Sequence, residues 1–354
     1  MLQILVINRS IHLGGIFVKK LQDIPFSVLD LAPIVEGGTA ADSFHNTLDL
    51  ARHAEGWGYH RYWLAEHHNM PGIASSATSL VIGHVAAGTK SIRVGSGGIM
   101  LSNHAPLMIA EQFGTLESLY PGRIDLGLGR APGSDQAAAR AMRRSLGSDG
   151  SEFPEQLSEL RAYFNPDGAG SRPLGVRAVP GEGLNVPIWL LGSSGFSAQL
   201  AGQLGLPFAF ASHFAPDYLL PALHLYRTSF KPSETLDKPH VMVGLGITAA
   251  ATTEQARWLA TSQQQQFLNI IRGRTGKLQP PVDSMEGLWS PQEKAMLLSK
   301  QLYSIAGDQT SIKERLLQIV EETQADEFIV ASQIYDHSAR LHSYELVAEL
   351  VKES

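Results

Sequence analysis

No cysteine occurs anywhere in the 354 residues. Disulfides, thiolate metal sites and cysteine nucleophiles are therefore excluded, and a cytoplasmic home is the natural expectation. Long apolar runs are missing too. The opening stretch "MLQILVINRSIHLGGIFVKK" is broken by Asn8, Arg9, His12 and two glycines, whereas a spanning helix needs ~20 continuous apolar residues. It also lacks the basic start and small-residue cleavage site of a signal peptide. Residues 1–24 are expected to form a loosely held N-terminal extension, with an extra edge strand as the other reading. No basic block appears, and 28 Lys plus Arg stand against 34 Asp plus Glu, a net charge of -6. That balance argues against nucleic-acid binding, and no membrane partner is expected.

What is present is a run of short apolar segments with helical patterns between them. "FSVLDL" (26–31), "YHRYWLA" (59–65), "IRVGSGGIM" (92–100), "RIDLGLG" (123–129), "VPIWLLG" (186–192), "PFAFAS" (207–212), "HVMVGLGIT" (240–248) and "EFIVAS" (327–332) read as strands. The intervening helices show their own signals: Phe44, Leu48, Ala51 and Ala54 at helical spacing, and Pro106 suited to a first turn. Near-continuous apolar strands alternating with helices predict a parallel sheet covered on both faces. Eight is also the count that closes a (β/α)8 TIM barrel, with an open doubly wound sheet as the other arrangement the pattern allows. One barrel over residues 25–354 is expected, with insertions after strands four and seven. The first is a polar, Gly- and Pro-rich excursion near 148–185; the second contains the polar run Gln263 to Gln266.

Catalytic groups of such barrels gather at the C-terminal strand ends. There the second strand offers Glu66, His67, His68 and Asn69, and the third Ser96, Gly97 and Gly98, followed by Asn103 and His104. The fourth offers Gly129 and Arg130, the fifth Gly192, Ser193, Ser194 and Ser197, and the sixth Ser212 and His213. Adjacent strand residues point to opposite faces, so Trp63, Ala65 and His67 share one face and Leu64, Glu66 and His68 the other. His67 and His68 then cannot share an ion, no H-E-x-x-H spacing accompanies them, and no metal is expected. Gly127, Gly129 and Gly133 imitate a dinucleotide fingerprint, but the third glycine falls one residue late and Asp149 lies in loop composition. Arg130 at one strand end and three serines opening a helix at the next suit a phosphate better. "AGDQT" (306–310) is the competing phosphate site. Gly97-Gly98 reads either as a bulge or as room for a flat ligand.

The motifs "WLAEHH", "VGSGGIMLSNHAP", "EQFGTLESLYPGRIDLGLGR" and "LLGSSGFSAQLAGQLGLPFAF" together resemble, in order, those of the bacterial luciferase-like flavin monooxygenases. "FSVLDLAP" and "AEHHNM" look like the non-luminescent bacterial branch, and the resemblance spans residues 26 to 351. It implies a barrel that binds FMN at its C-terminal mouth. His67 corresponds to the family's active-site histidine beside the flavin ring, and Gly97-Gly98 to an unusual cis peptide beneath it. Arg130, Ser193, Ser194 and Ser197 would hold the phosphate, and Ala65, Ser96, Leu191 and Gly192 complete the expected cofactor-binding set. Luciferase proper has a reactive cysteine where this chain has Gly129, which puts light emission, but not flavin chemistry, in doubt.

The implied reaction takes reduced FMN from a separate flavin reductase and O2, forms a flavin C4a-peroxide, and oxygenates a small organic substrate. His67 would manage a proton, the insertion 267–300 would act as a lid, and a homodimer would pair through helices around strands two and three. A deazaflavin-dependent hydride-transfer oxidoreductase of the same fold, or a non-catalytic flavin-binding protein, are the alternative readings.

Overall fold

The computed structural model describes residues 19–131, 136–142, 150–168, 172–173 and 175–354. Gly133 and Asp149, the doubtful parts of the dinucleotide fingerprint, lie outside these, as does most of the expected N-terminal extension. Strands β1 (Phe26–Asp30), β2 (Arg61–Leu64), β3 (Arg93–Met100), β4 (Ile124–Gly129), β5 (Ile188–Gly192), β6 (Phe208–Phe210), β7 (Val241–Ala249), β8 (Ser304–Gly307) and β9 (Glu327–Ala331) are all parallel. β6 pairs with β7, β7 with β9, and β9 returns to β1, so eight of them close a barrel. The eight predicted strands are the barrel strands. β8 lies outside the ring and pairs with the far half of β7, Gly246 to Ala249.

Around the barrel run helices α1 (Ala40–Trp57), α2 (Thr78–Gly88), α3 (Pro106–Leu119), α4 (Gln136–Met142), α5 (Phe153–Phe164) and α6 (Gly195–Leu204). α7 (Leu219–Ser229), α8 (Thr253–Ile271), α9 (Pro291–Lys300), α10 (Gln309–Thr323) and α11 (His337–Lys352) complete the set. Local chemistry sets their ends. Thr39 and Asp42 form a capping box at the start of α1, and Gly58 stops it with φ 87°. Two corrections concern boundaries. The stretch 148–185 is not wholly an excursion: α5 buries Phe153, Leu157, Leu160 and Phe164 in the main core. Residues 19–24 are also tied down, because Leu21 and Ile24 are buried and Lys19 pairs with Asp326 at 2.6 Å.

Strand parity divides the apolar residues into two compartments. Val28, Tyr62, Leu64, Val94, Leu126 and Leu190 face the helices. Leu29, Trp63, Ala65, Trp189, Ala209, Met242, Ile329 and Ala331 fill the barrel interior. Beneath that plug, at the strand starts, lies a charged layer. Arg61 joins Asp125 (2.8 Å) to Glu327 (2.9 Å), Arg93 adds a 2.6 Å bond to Asp125, and the Ser27 hydroxyl and Trp63 indole donate to the two carboxylates.

Candidate active site

The second strand ends as its composition promised. Glu66 shares the outward face and is fully buried, while His67 is half-buried at the mouth. The loop that follows is pinned from below: Ser75 Oγ donates to the Ala65 carbonyl (2.6 Å) and Ser76 Oγ to that of His67 (2.7 Å). Glu66 gathers the neighbouring loop. His68 Nε2 and His104 Nε2 lie 2.8 and 2.9 Å from its Oε1, and the Met100 amide donates to Oε2 at 2.9 Å. Burial alone would raise the Glu66 pKa, but His104, His68 and the Met100 amide outweigh it and hold the carboxyl below its ordinary range. The ligand atoms of Glu66, His68 and His104 all lie within 4.8 Å of one another, a grouping the sequence reading did not assemble. Its members already bond to each other, and what they do in this arrangement is clamp the loop after β2 to the loop after β3.

Between those loops the Gly97–Gly98 peptide is cis, and the register with β4 shifts across Gly97 and Ile99. The bulge reading and the cis expectation thus meet at one place. Both glycines are required by crowding within the protein. A Cβ on Gly97 would meet Leu29 at 2.6 Å, and one on Gly98 the Gly127 carbonyl oxygen at 2.7 Å.

The phosphate candidates lie on two elements, β4 and α6, that meet through one contact. Arg130 leaves the end of β4 and places its guanidinium 4.4 Å from the ring centre of Phe196, in the first turn of α6. Among the described residues no carboxylate pairs with it. Ser193 and Ser194 are exposed, and Ser194 stands at the N-cap without capping the helix through its side chain. The leading amides of α6 are therefore left for another acceptor. Ser197 is buried behind them against Gly192, where a Cβ would lie 2.9 Å from the Ser197 Cβ. The competing "AGDQT" site is built the opposite way. Asp308 caps α10 by accepting from the Ser311 amide at 2.8 Å, so a carboxylate already occupies that helix start.

Of the remaining expected cofactor residues, Ala65 lines the barrel interior and Leu191 packs beside it. Ser96 stands apart: it is fully buried on the face it shares with Val94, and its hydroxyl donates to the Gly127 carbonyl at 2.8 Å. Any contact it makes at the mouth runs through its backbone. His213, in the polar ring but given no role from sequence, lies close enough to His67 to feel its charge. Burial first, and His67 second, push its pKa down to about 4, so at neutral pH it is an uncharged imidazole.

A strap crosses one side of the mouth. Beyond α8 the chain pairs with the loop after β1, with the Glu36 amide donating to Leu278 and the Leu278 amide to Ile34. Lys277 Nζ donates to the Gly38 carbonyl at 2.8 Å. Gly72, after β2, is crossed so closely that a Cβ there would run into the Gly276 carbonyl.

A closed parallel barrel with its free polar chemistry at the C-terminal mouth defines a (β/α)8 enzyme. Residues 24–327 match the luciferase-like monooxygenase family. An Escherichia coli K12 relative named luciferase-like monooxygenase is 56% identical over 93% of this chain and 98% of its own. A Bacillus subtilis relative named N-acetyl-S-alkylcysteine monooxygenase is 32% identical over 93% and 98%. The crystal structure of apo-MsnO8 superposes with a TM-score of 0.82 at 33% identity, covering 94% of this chain and 99% of that one. Two more distant structures share the fold: an FMN complex of the oxygenating constituent of a 3,6-diketocamphane monooxygenase (TM-score 0.70, 18% identity, 93% and 98% covered) and an F420-dependent secondary alcohol dehydrogenase (0.67, 15%, 93% and 99%). The chain belongs to the luciferase-like monooxygenase family and is an enzyme of the flavin-dependent monooxygenase type.

Proposed function

We propose that this enzyme uses FMN, reduced by a separate flavin reductase, together with O2 to oxygenate a small organic molecule. The observation that carries the reading is the meeting of Arg130 with the uncapped start of α6, a few residues from the mouth that holds His67. A guanidinium beside free helix amides suits a phosphate monoester, which is the charged end of FMN. Arg130, Ser193, Ser194 and Ser197 would hold that end, and Ala65, Gly97, Gly98, Leu191, Gly192 and the Ser96 backbone would floor the ring. Bound reduced FMN supplies two electrons to O2, of which one oxygen atom enters the substrate and the other leaves as water.

The chain's own contribution is to position, to keep water out and to handle a proton. The imidazole of His67 is a group of the kind that passes a proton at neutral pH. His213 stays neutral beside it and adds no competing charge. The strap over the loops after β1 and β2 limits access to solvent. A second copy would pair through α2 and α3, where Leu80 and Met108 are 74% and 53% exposed; light scattering of the purified chain tests that pairing. No helix among the described residues is long and apolar enough to cross a membrane, and a cytoplasmic location would give access to the reductase.

The B. subtilis relative makes acylated thioethers the first substrates to screen. The test is to titrate the chain with reduced FMN and with reduced deazaflavin under anaerobic conditions, then admit ¹⁸O₂ with each candidate substrate. FMN binding with one labelled oxygen in the product is the expected result. Tight deazaflavin binding with no FMN binding would overturn the cofactor, and unlabelled products across the screen would overturn the oxygenation.

A further inference from the structure

The motif "FSVLDLAP" carries a charged residue that neither the barrel interior nor the phosphate end accounts for. Asp30 closes β1 on the helix-facing side, the side of Val28. It is fully buried, yet four donors reach its carboxylate. Arg340 Nη2 (2.7 Å) and the Ala32 amide (2.8 Å) donate to Oδ1, and the Thr47 (2.7 Å) and Tyr62 (2.5 Å) hydroxyls donate to Oδ2. Burial alone would raise its pKa, but Arg340, Tyr62 and Thr47 outweigh it and hold the carboxyl below its ordinary range. Arg340, near the start of α11, is buried as well, and its Nε donates to the Ser332 carbonyl just past β9 at 3.0 Å. The ion pair fastens the end of the first strand to the end of the last.

The bond to the Ala32 amide does something more. Ala32 has φ 46°, in the left-handed region where a Cβ is disfavoured. Its amide is held by the Asp30 side chain, and its carbonyl accepts from the Ala74 amide at 3.0 Å. Such a turn, closed by an aspartate on the amide two residues on, fixes the residue it encloses. That residue is Leu31. It follows Leu29 on the inward face and, half-buried, packs on the interior cluster that contains Ala65, as Leu191 does. Leu29 is the side chain that a Cβ on Gly97 would strike. Ser75 Oγ reaches the carbonyls of both Leu31 (3.4 Å) and Ala65 (2.6 Å), and the Ala65 amide donates to the Asp30 carbonyl at 3.0 Å. Leu31 therefore belongs to one wall with Ala65, and the turn after it decides where its side chain stands.

We infer that Asp30, with Arg340 as its counter-charge, is a positioning residue: by pinning the left-handed turn at Ala32 it holds Leu31 as a wall of the flavin-ring pocket. The inference rests on the FMN reading and adds to it a ring contact, Leu31, and the residue that sets it. Asp30 acts through packing and not through its charge, because its carboxylate faces the helices, away from the mouth.

The test is a double-mutant cycle on the full chain, read by fluorescence titration with FMN, with thermal unfolding to show that each variant is folded. Leu31→Ala and Asp30→Ala are each expected to weaken FMN binding by about tenfold, roughly the worth of two buried methylenes. The combined variant is expected to bind no more weakly than either alone, because Asp30 acts through Leu31. Asp30→Ala leaves Arg340 buried without its carboxylate, so the cycle is repeated with Asp30→Ala/Arg340→Met, which strands no charge. Adding Ala32→Gly to either Asp30 variant is expected to recover about three- to fivefold in affinity, since glycine takes this turn without support. Losses that multiply in the cycle overturn the inference, as do Asp30 variants with unchanged FMN binding or no recovery with glycine. A wild type that binds no FMN would sink the flavin reading and the inference together, whereas good wild-type binding with multiplying losses would sink only the positioning role.

Discussion

The charged layer at the strand starts and a group of polar atoms near the strand ends treat burial in opposite ways. At the strand starts, Arg61, Arg93, Asp125 and Glu327 are buried or nearly so, and every charge has a partner. At the strand ends, His213, Ser262, Gln266 and Ser304 each keep at least one buried atom without one. A paired layer of charges fixes register and leaves nothing for a ligand. Buried polar atoms without a protein partner weaken the fold where they sit. The same contrast recurs at two helix starts: Asp308 closes that of α10 with its own carboxylate, and Ser194 leaves that of α6 open.

The comparison can be broken most forcefully from below. Asp125→Ala strips a carboxylate partner from Arg61 and Arg93 and the acceptor from the Trp63 indole, and it should cost about 3–5 kcal/mol of stability in urea unfolding. At the mouth, His67→Ala should leave the unfolding midpoint near that of the wild type while product formation falls ~10²- to 10⁴-fold. Loss of both in parallel would mean that the mouth histidine is structural. Arg130→Met should weaken FMN binding by roughly 10- to 100-fold in a fluorescence titration, the range of a charge-assisted hydrogen bond.

A pH experiment sharpens the contrast further. The folded-state pKa of His213, about 4, lies below the ordinary 6.5. As pH falls from 6.5 towards 4, the unfolded chain takes up a proton that the folded chain refuses, so this residue erodes stability through that window. Below about 4 both states are protonated and the erosion stops growing. His213→Asn should therefore flatten the acid limb of stability against pH, and an unchanged limb would show that the imidazole titrates normally. The smallest effects belong to the two helix starts. Asp308→Ala should cost about 1 kcal/mol with no change in FMN affinity, and Ser194→Ala should do the reverse.

How much of this could be read from the sequence depended on how far apart the interacting residues lie. The eight barrel strands announce themselves because both of their faces are covered, which makes them apolar throughout. β8 did not, being four residues long and paired only along the edge of β7. α5 was hidden in polar, Gly-rich surroundings, although Phe153, Leu157, Leu160 and Phe164 keep helical spacing. At the site, Arg130 and the serines of α6 were legible as strand-end chemistry. Glu66 meeting His104 across 38 positions was not, because no local pattern encodes that contact. Nor was the close packing on β7, where Gly246, Gln263 and Ser304 come from three separate elements. Sequence marked Gln263 to Gln266 as unusual; only the fold says what they face.

The bond between Ser27 and Glu327 closes the barrel across 300 positions. A ribosome adding ~5–20 residues per second needs on the order of 15–60 s to cover that interval. Through all of it β1 waits for its second neighbour with one edge open, and the strap at 276–278 emerges only late in that interval. The wall therefore cannot close until β9 has emerged and joined β1 to β7. Closure is thus among the last events of synthesis, and a chain cut short before β9 would be left with that side of the barrel open.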